Sequence, residues 1–298
     1  MKQAHGAQVE FGPGRTHLSL DVLESPASAL PLLALASAAA LGVAALLAQP
    51  WWVRWRREHL RAPPFPAPWR RILRRRVPAV ARLPYHLQRR LKRHIQVFVA
   101  EKAFIGCQGQ AISDEVRVTI AAQACLLLLG HDQTDCYPRL AQILVYPDAF
   151  ATQREQALGN GLVREQRLTM SGESSSQGQV VLSWADVLAG AADPHDGHNV
   201  VLHEFAHQID QDSGSADGRP WRPTPALRQR WAVVMGAAFE RLRAQPSDLI
   251  EAYGATQPAE FFAVVTELFY ERPQALAAEA PTVYRELAEL FGVDPRAW

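Results

Sequence analysis

The hydrophobic pattern changes character along the chain. An unbroken apolar run comes first: from Ser25 to Val53 no residue is charged, and Ala29 to Ala48 reads ALPLLALASAAALGVAALLA. About 20 apolar residues rising 1.5 Å each span the roughly 30 Å hydrocarbon layer of a bilayer. Trp51 and Trp52 follow as an interfacial aromatic pair would, and arginines come directly after. This pattern predicts one transmembrane helix over 28–50, with a disordered tail at 1–27. The stretch 51–68 is basic and holds four prolines between Arg61 and Trp69, which predicts an extended linker. A globular domain is expected over 69–298.

Within that domain the period becomes helical. Leu87, Leu91, Ile95, Phe98 and Val99 share one face of a helix predicted over Tyr85 to Phe104, whose other face is basic. A mostly apolar helix follows, with Ser113 as N-cap and Gly130 as its stop. Ala141 to Pro147 and Gly178 to Trp184 are short β-branched runs and read as strands. Beyond them, Val201, Leu202, Phe205, Ala206 and Ile209 form the apolar face of another helix. Helices then dominate: Pro225 to Ala244, capped by Thr224; Pro258 to Tyr270; and Pro281 to Phe291, stopped by Gly292. The pattern is α+β, a small sheet packed on helices and preceded by the one transmembrane helix.

Charge sharpens this picture more than composition does. The 298 residues are 48% hydrophobic with a formal net charge of +1, so no polyanion partner is indicated and direct nucleic-acid binding is not expected. The distribution is uneven: Arg and Lys are dense from Arg54 to Arg93, where Glu58 is the lone acid. The positive-inside rule then places the domain after the anchor in the cytoplasm, on the inner membrane. Cys107, Cys125 and Cys136 are too few and too scattered for a disulfide framework, in keeping with a reducing compartment.

The helix NVVLHEFAHQID carries the candidate chemistry. His203 and His207 lie four apart on one face, so both imidazoles can bind one Zn²⁺. Glu204 is offset by about 100°, off the metal and placed as a general base toward water. Catalytic zinc requires a third protein ligand. The local extension of the motif fails, because Asp210 occupies its glycine position and Ser213 its ligand position. The remaining candidates lie downstream in YGATQPAEFFAVVTELFYERP, where Glu260 and Glu267 are seven apart on one apolar helix. Spacing alone does not choose between these two carboxylates. Asp210 is left to orient a ligand histidine or to pair locally.

HEFAHQID followed by EAYGATQPAEFFAVVTELFY resembles the Mlc titration factor A family of zinc peptidases. These are gluzincin-like metallopeptidases with a catalytic core similar to that of anthrax lethal factor. FVAEKAFIGCQG, VTIAAQACLLLLG and DGRPW are also similar to that family, and the resemblance covers roughly Trp69 to Trp298 but not the anchor. It implies a zincin-like domain with His203, His207 and Glu260, the Glu of the P-A-E motif, as metal ligands. It favours Glu260 over Glu267, which would then orient a ligand histidine. The family's Tyr, seven residues before that Glu, falls on Tyr253 as an oxyanion donor. The resemblance further implies hydrolysis of a peptide or protein substrate, aminopeptidase-like or internal, with Glu204 as base. Its alternative is sequestration of a transcriptional repressor of the Mlc type. In zincin-like folds an edge strand in the place of Gln179 to Trp184 pairs with extended substrate.

Overall fold

The computed structural model describes residues 26–130, 136–148, 150–158, 162–170, 172–175 and 178–298. The predicted tail at 1–27 lies almost wholly outside them. The chain divides into two compact units, 1–56 and 57–298. The first holds most of α1 (Pro26–Arg61). From Ala34 onward α1 is long and apolar enough to cross a membrane, and its most apolar stretch is not buried. Leu41 and Leu47 are each 72% exposed, so this is not the core helix of a soluble domain. The helix runs on through the first arginines to Arg61, and the extended stretch between it and the next helix is only residues 62–66.

The second unit is mostly helical around a small sheet. α2 (Ala67–Arg76), α3 (Ala79–Arg82) and α4 (Tyr85–Glu101) lead into β1 (Ala103–Gly106) and α5 (Asp114–Ala124). The remaining strands are β2 (Gln142–Tyr146), β3 (Phe150–Leu158), β4 (Leu162–Met170), β5 (Gly172–Ser175) and β6 (Gln179–Ser183). They are followed by α6 (Trp184–Ala192), α7 (Val200–Gln211), α8 (Pro225–Ala244), α9 (Pro258–Glu271), α10 (Pro273–Glu279) and α11 (Pro281–Phe291). The main sheet has the order β1-β2-β6-β5, with β1, β2 and β6 parallel and β5 antiparallel to β6. β3 and β4 form a separate antiparallel pair.

The topology corrects one expectation. The strand Gln179–Ser183 is not an edge: it lies between β2 and β5, and β5 takes the outer position on that side. Four-residue strands such as β1 and β5 are too short for a two-residue period to show in sequence. Two helix ends also move. The Tyr85 helix stops at Glu101, and Phe104 belongs to β1. The Ser113 helix ends at Ala124 and passes into a tight turn over Cys125–Leu128. Gly130 is therefore no left-handed stop. It is a close approach, since a Cβ there would clash with the carbonyl oxygen of Phe291. The helices at Pro225, Pro258 and Pro281 form as their prolines and caps predict: Thr224 accepts from the Leu227 amide, and Gly292 turns left-handed at φ 64°.

The core sits between the sheet and α7, α9 and α5. Val201, Leu202, Phe205 and Ala206 press α7 into it with at most 1% exposure, each large side chain contributing roughly 1.5–3 kcal/mol. The Phe205 ring packs on Tyr137 at 4.7 Å and Phe98 at 5.7 Å. α9 buries all but its first residues, including Phe261, Phe262, Phe269 and Tyr270. Two rigid helices thus face each other with little freedom to slide.

Candidate metal centre

The α7 helix begins where Asn199 caps it, its side-chain oxygen accepting from the Leu202 amide at 3.0 Å. One turn in, His203 and His207 emerge on the face turned to α9 and stack edge-on with ring centroids 4.9 Å apart. From α9, Glu260 reaches between them. Its Oε2 lies 3.0 Å from His203 Nε2 and 3.3 Å from His207 Nε2. Donor atoms of these three residues all lie within 4.8 Å of one another. Two imidazoles and a carboxylate converging on one point suit Zn²⁺ or a similar divalent ion.

Glu267 does a different job from Glu260, although both sit on α9. Its Oε1 is 2.8 Å from His203 Nδ1, and its Oε2 accepts from the Asn199 amide at 2.5 Å. The His203 ring is therefore gripped from its far side. Burial alone would lower the His203 imidazole, but the hydrogen bonds to Glu260 and Glu267 outweigh it and push it up to about 10. Burial likewise acts to raise Glu260, and the bonds to both histidines override it, holding the carboxyl well below the usual range.

Glu204 is buried and lines the adjoining cleft without joining the three convergent groups. Tyr253 comes from the short turn Ala252–Ala255 that precedes α9. Its ring lies 6.0 Å from that of His203, and the residue is half exposed at the cleft wall. The cleft holds about 470 Å³, and Asp186, Asp196 and Glu251 add acidic groups to its walls. Asp210, one turn past His207, pairs locally: its Oδ2 accepts from the Gly218 amide at 2.6 Å and ties down the loop after α7. Burial pushes Asp210 up to about 6 against the pull of that amide.

One group escaped sequence reasoning. Asn199 Nδ2 donates to Gln123 Oε1 at 2.9 Å, to the Gly190 carbonyl at 3.1 Å and to Glu271 Oε1 at 2.9 Å. Glu271 also accepts from the Gly197 amide at 3.2 Å. The signal was present in the spacing, since Glu271 lies four residues past Glu267 on the same face of α9. Burial pushes the Glu271 carboxyl up to about 8, opposed by the Asn199 bond and helped by the charges of Asp196 and Glu267.

Comparison with known proteins adds to this geometry. The glucose-regulated metallo-peptidase M90 family matches residues 52–292. An uncharacterized protein of Synechocystis sp. is 38% identical over 86% of this chain and 94% of its own length. The protein named Mlc titration factor A from Cronobacter sakazakii is 32% identical over 81% of this chain and 91% of its own. The protein of the same name from Klebsiella pneumoniae strain 342 is 32% identical over 76% of this chain and 86% of its own.

Proposed function

The chain belongs to the glucose-regulated metallo-peptidase M90 family, and from that membership we propose a membrane-anchored zinc peptidase that hydrolyses peptide bonds in the cytoplasm. The observation that carries the reading is the meeting of both Nε2 atoms on one Glu260 oxygen beside a cleft that also presents Glu204 and Tyr253.

In this reading His203, His207 and Glu260 hold the ion. Bound Zn²⁺ would polarise the scissile carbonyl and make water a nucleophile near neutral pH. Glu204 takes the proton from the attacking water and passes it to the leaving amine. Tyr253 donates to the oxyanion as the carbonyl carbon becomes tetrahedral. Glu267 fixes the His203 ring through Nδ1, which sets Nε2 toward the ion. The outer strand β5, which packs on α7, has no strand beyond it among the described residues, and that edge would take an extended substrate. The apolar part of α1 is the anchor, and the arginines that follow it favour a cytoplasmic domain. In this reading the anchor is the apolar part of α1, the basic connection continues that helix to Arg61 and crosses 62–66, and the zincin-like domain begins with α2.

The names of the relatives favour a second reading, in which the domain binds a repressor of the Mlc type and turnover is secondary. Glu204→Gln separates the two. Hydrolysis of a peptide library by the variant should fall at least about a hundredfold while its zinc content, measured by elemental analysis, stays at the wild-type level. Wild-type turnover in the variant rejects Glu204 as the base. A repressor that co-purifies with wild type and variant alike, with no turnover in either, selects the binding role.

A further inference from the structure

We propose that the cleft between α2 and α4 docks the anionic phospholipid headgroups of the membrane that α1 enters. α2 turns Arg70, Arg71 and Arg74 onto one face, and α4 brings Lys92 to the same cleft. The cleft holds about 730 Å³. Its floor is apolar, built from Leu73, Val77 and Val80, each buried. Cations around an apolar floor suit an amphiphile, with phosphate at the rim and glycerol and acyl carbons below.

Arg70 donates to the Phe65 carbonyl at 2.6 Å, but the other charges of the cleft are not spent within the fold. Arg76 is taken by Glu115, Arg90 by the Leu129 carbonyl and Arg93 by Glu58. Arg71, Arg74, Arg75 and Lys92, in contrast, have no hydrogen-bond or ion-pair partner among the described residues. The sequence holds no acidic residue from His59 to Ala100. The acids that α5 presents to α2 are already engaged, Glu115 by Arg76 and Asp114 by the Trp69 indole N–H.

Chain connectivity selects the membrane as the occupant. α1 ends at Arg61 and α2 begins at Ala67. Six steps of at most about 3.6 Å keep these ends within roughly 22 Å. Basic residues that closely follow a spanning helix are the ones an anionic leaflet attracts, and α2 follows α1 by this short connection alone.

The test uses the full chain in nanodiscs of phosphatidylcholine, with or without phosphatidylglycerol. The chain has three lysines, Lys2, Lys92 and Lys102, and Lys102 is buried. Acylation of Lys92 by an amine-reactive ester is therefore readable by peptide mapping. The expected result is roughly tenfold slower acylation in the phosphatidylglycerol discs, restored by about 1 M salt. A variant carrying Arg71→Gln and Arg74→Gln should lose most of that protection and keep its peptidase activity. Equal rates in both discs overturn the proposal. So does equal protection by inorganic phosphate in phosphatidylcholine discs, which assigns the cleft to a soluble anion. Elution of the chain apart from both discs removes the anchor as well as the docking site, and this outcome is distinct from co-elution without protection.

Discussion

At the scale of single residues, His203 is held by both ring nitrogens at once. Nε2 meets Glu260 and Nδ1 meets Glu267, whose other oxygen is fixed by the Asn199 amide. A ring constrained on both sides gives a metal a preset direction of approach. Tyr253 is constrained less, standing half exposed on a turn with its ring 6.0 Å from His203. Removing only its hydroxyl should therefore spare folding and metal content. Tyr253→Phe is expected to lower kcat by on the order of 10²–10³ with little change in KM, the effect of losing one oxyanion donor. Steady-state kinetics on any cleaved peptide checks this, and a rise in KM at constant kcat would assign Tyr253 to ground-state binding instead. The two histidines and Glu204 were legible in the sequence because helical spacing fixes their faces. Spacing alone did not choose between Glu260 and Glu267, since both share one face of α9 and tertiary packing decides which nitrogen each meets; the choice of Glu260 came from the family resemblance.

At the scale of elements, the site depends on how α7 is set against α9. Asn199 joins them: it caps α7, bonds Glu271 of α9 and reaches back to Gln123 of α5. Asn199→Ala removes the cap, worth about 1 kcal/mol, and takes both side-chain N–H groups from the three acceptors that share them, at roughly 1 kcal/mol or more for each N–H lost. A total on the order of 3 kcal/mol should lower the Tm by roughly 6–12 °C, at about 2–4 °C per kcal/mol for a domain of this size. Thermal unfolding followed by circular dichroism checks this. A shift under about 2 °C means that the network adds no net stability. Elements with local punctuation were readable, as α8 and α11 show with proline at their starts and Thr224 and Gly292 at their ends. Elements defined only by partners were not. β1 and β5 exist because β2 and β6 pair with them, and Gly130 is glycine because Phe291, far along the chain, packs against it.

At the scale of the whole molecule, buried acid makes stability depend on pH. Glu271 keeps its proton in the folded chain up to about 8, whereas an exposed glutamate loses it near its ordinary value of 4.5. Between those values the folded state binds a proton that the unfolded state has released. By linkage, this group's contribution to stability falls as pH rises from about 4.5 and is lost through about 8. The full effect is on the order of a few kcal/mol. Glu271→Gln keeps the shape and the ability to meet the Asn199 amide, but it cannot ionise. Its Tm should trail or match wild type near pH 5 and exceed it near pH 9, so the two curves cross or diverge as pH rises. Parallel curves over that range would show that Glu271 ionises alike in both states, and the acidic cluster behind α7 would then have to be screened by solvent that reaches it. Crossing curves would place a proton at the junction of α7 and α9. The ordering of the histidine helix would then weaken in alkali by a route separate from any group that touches substrate.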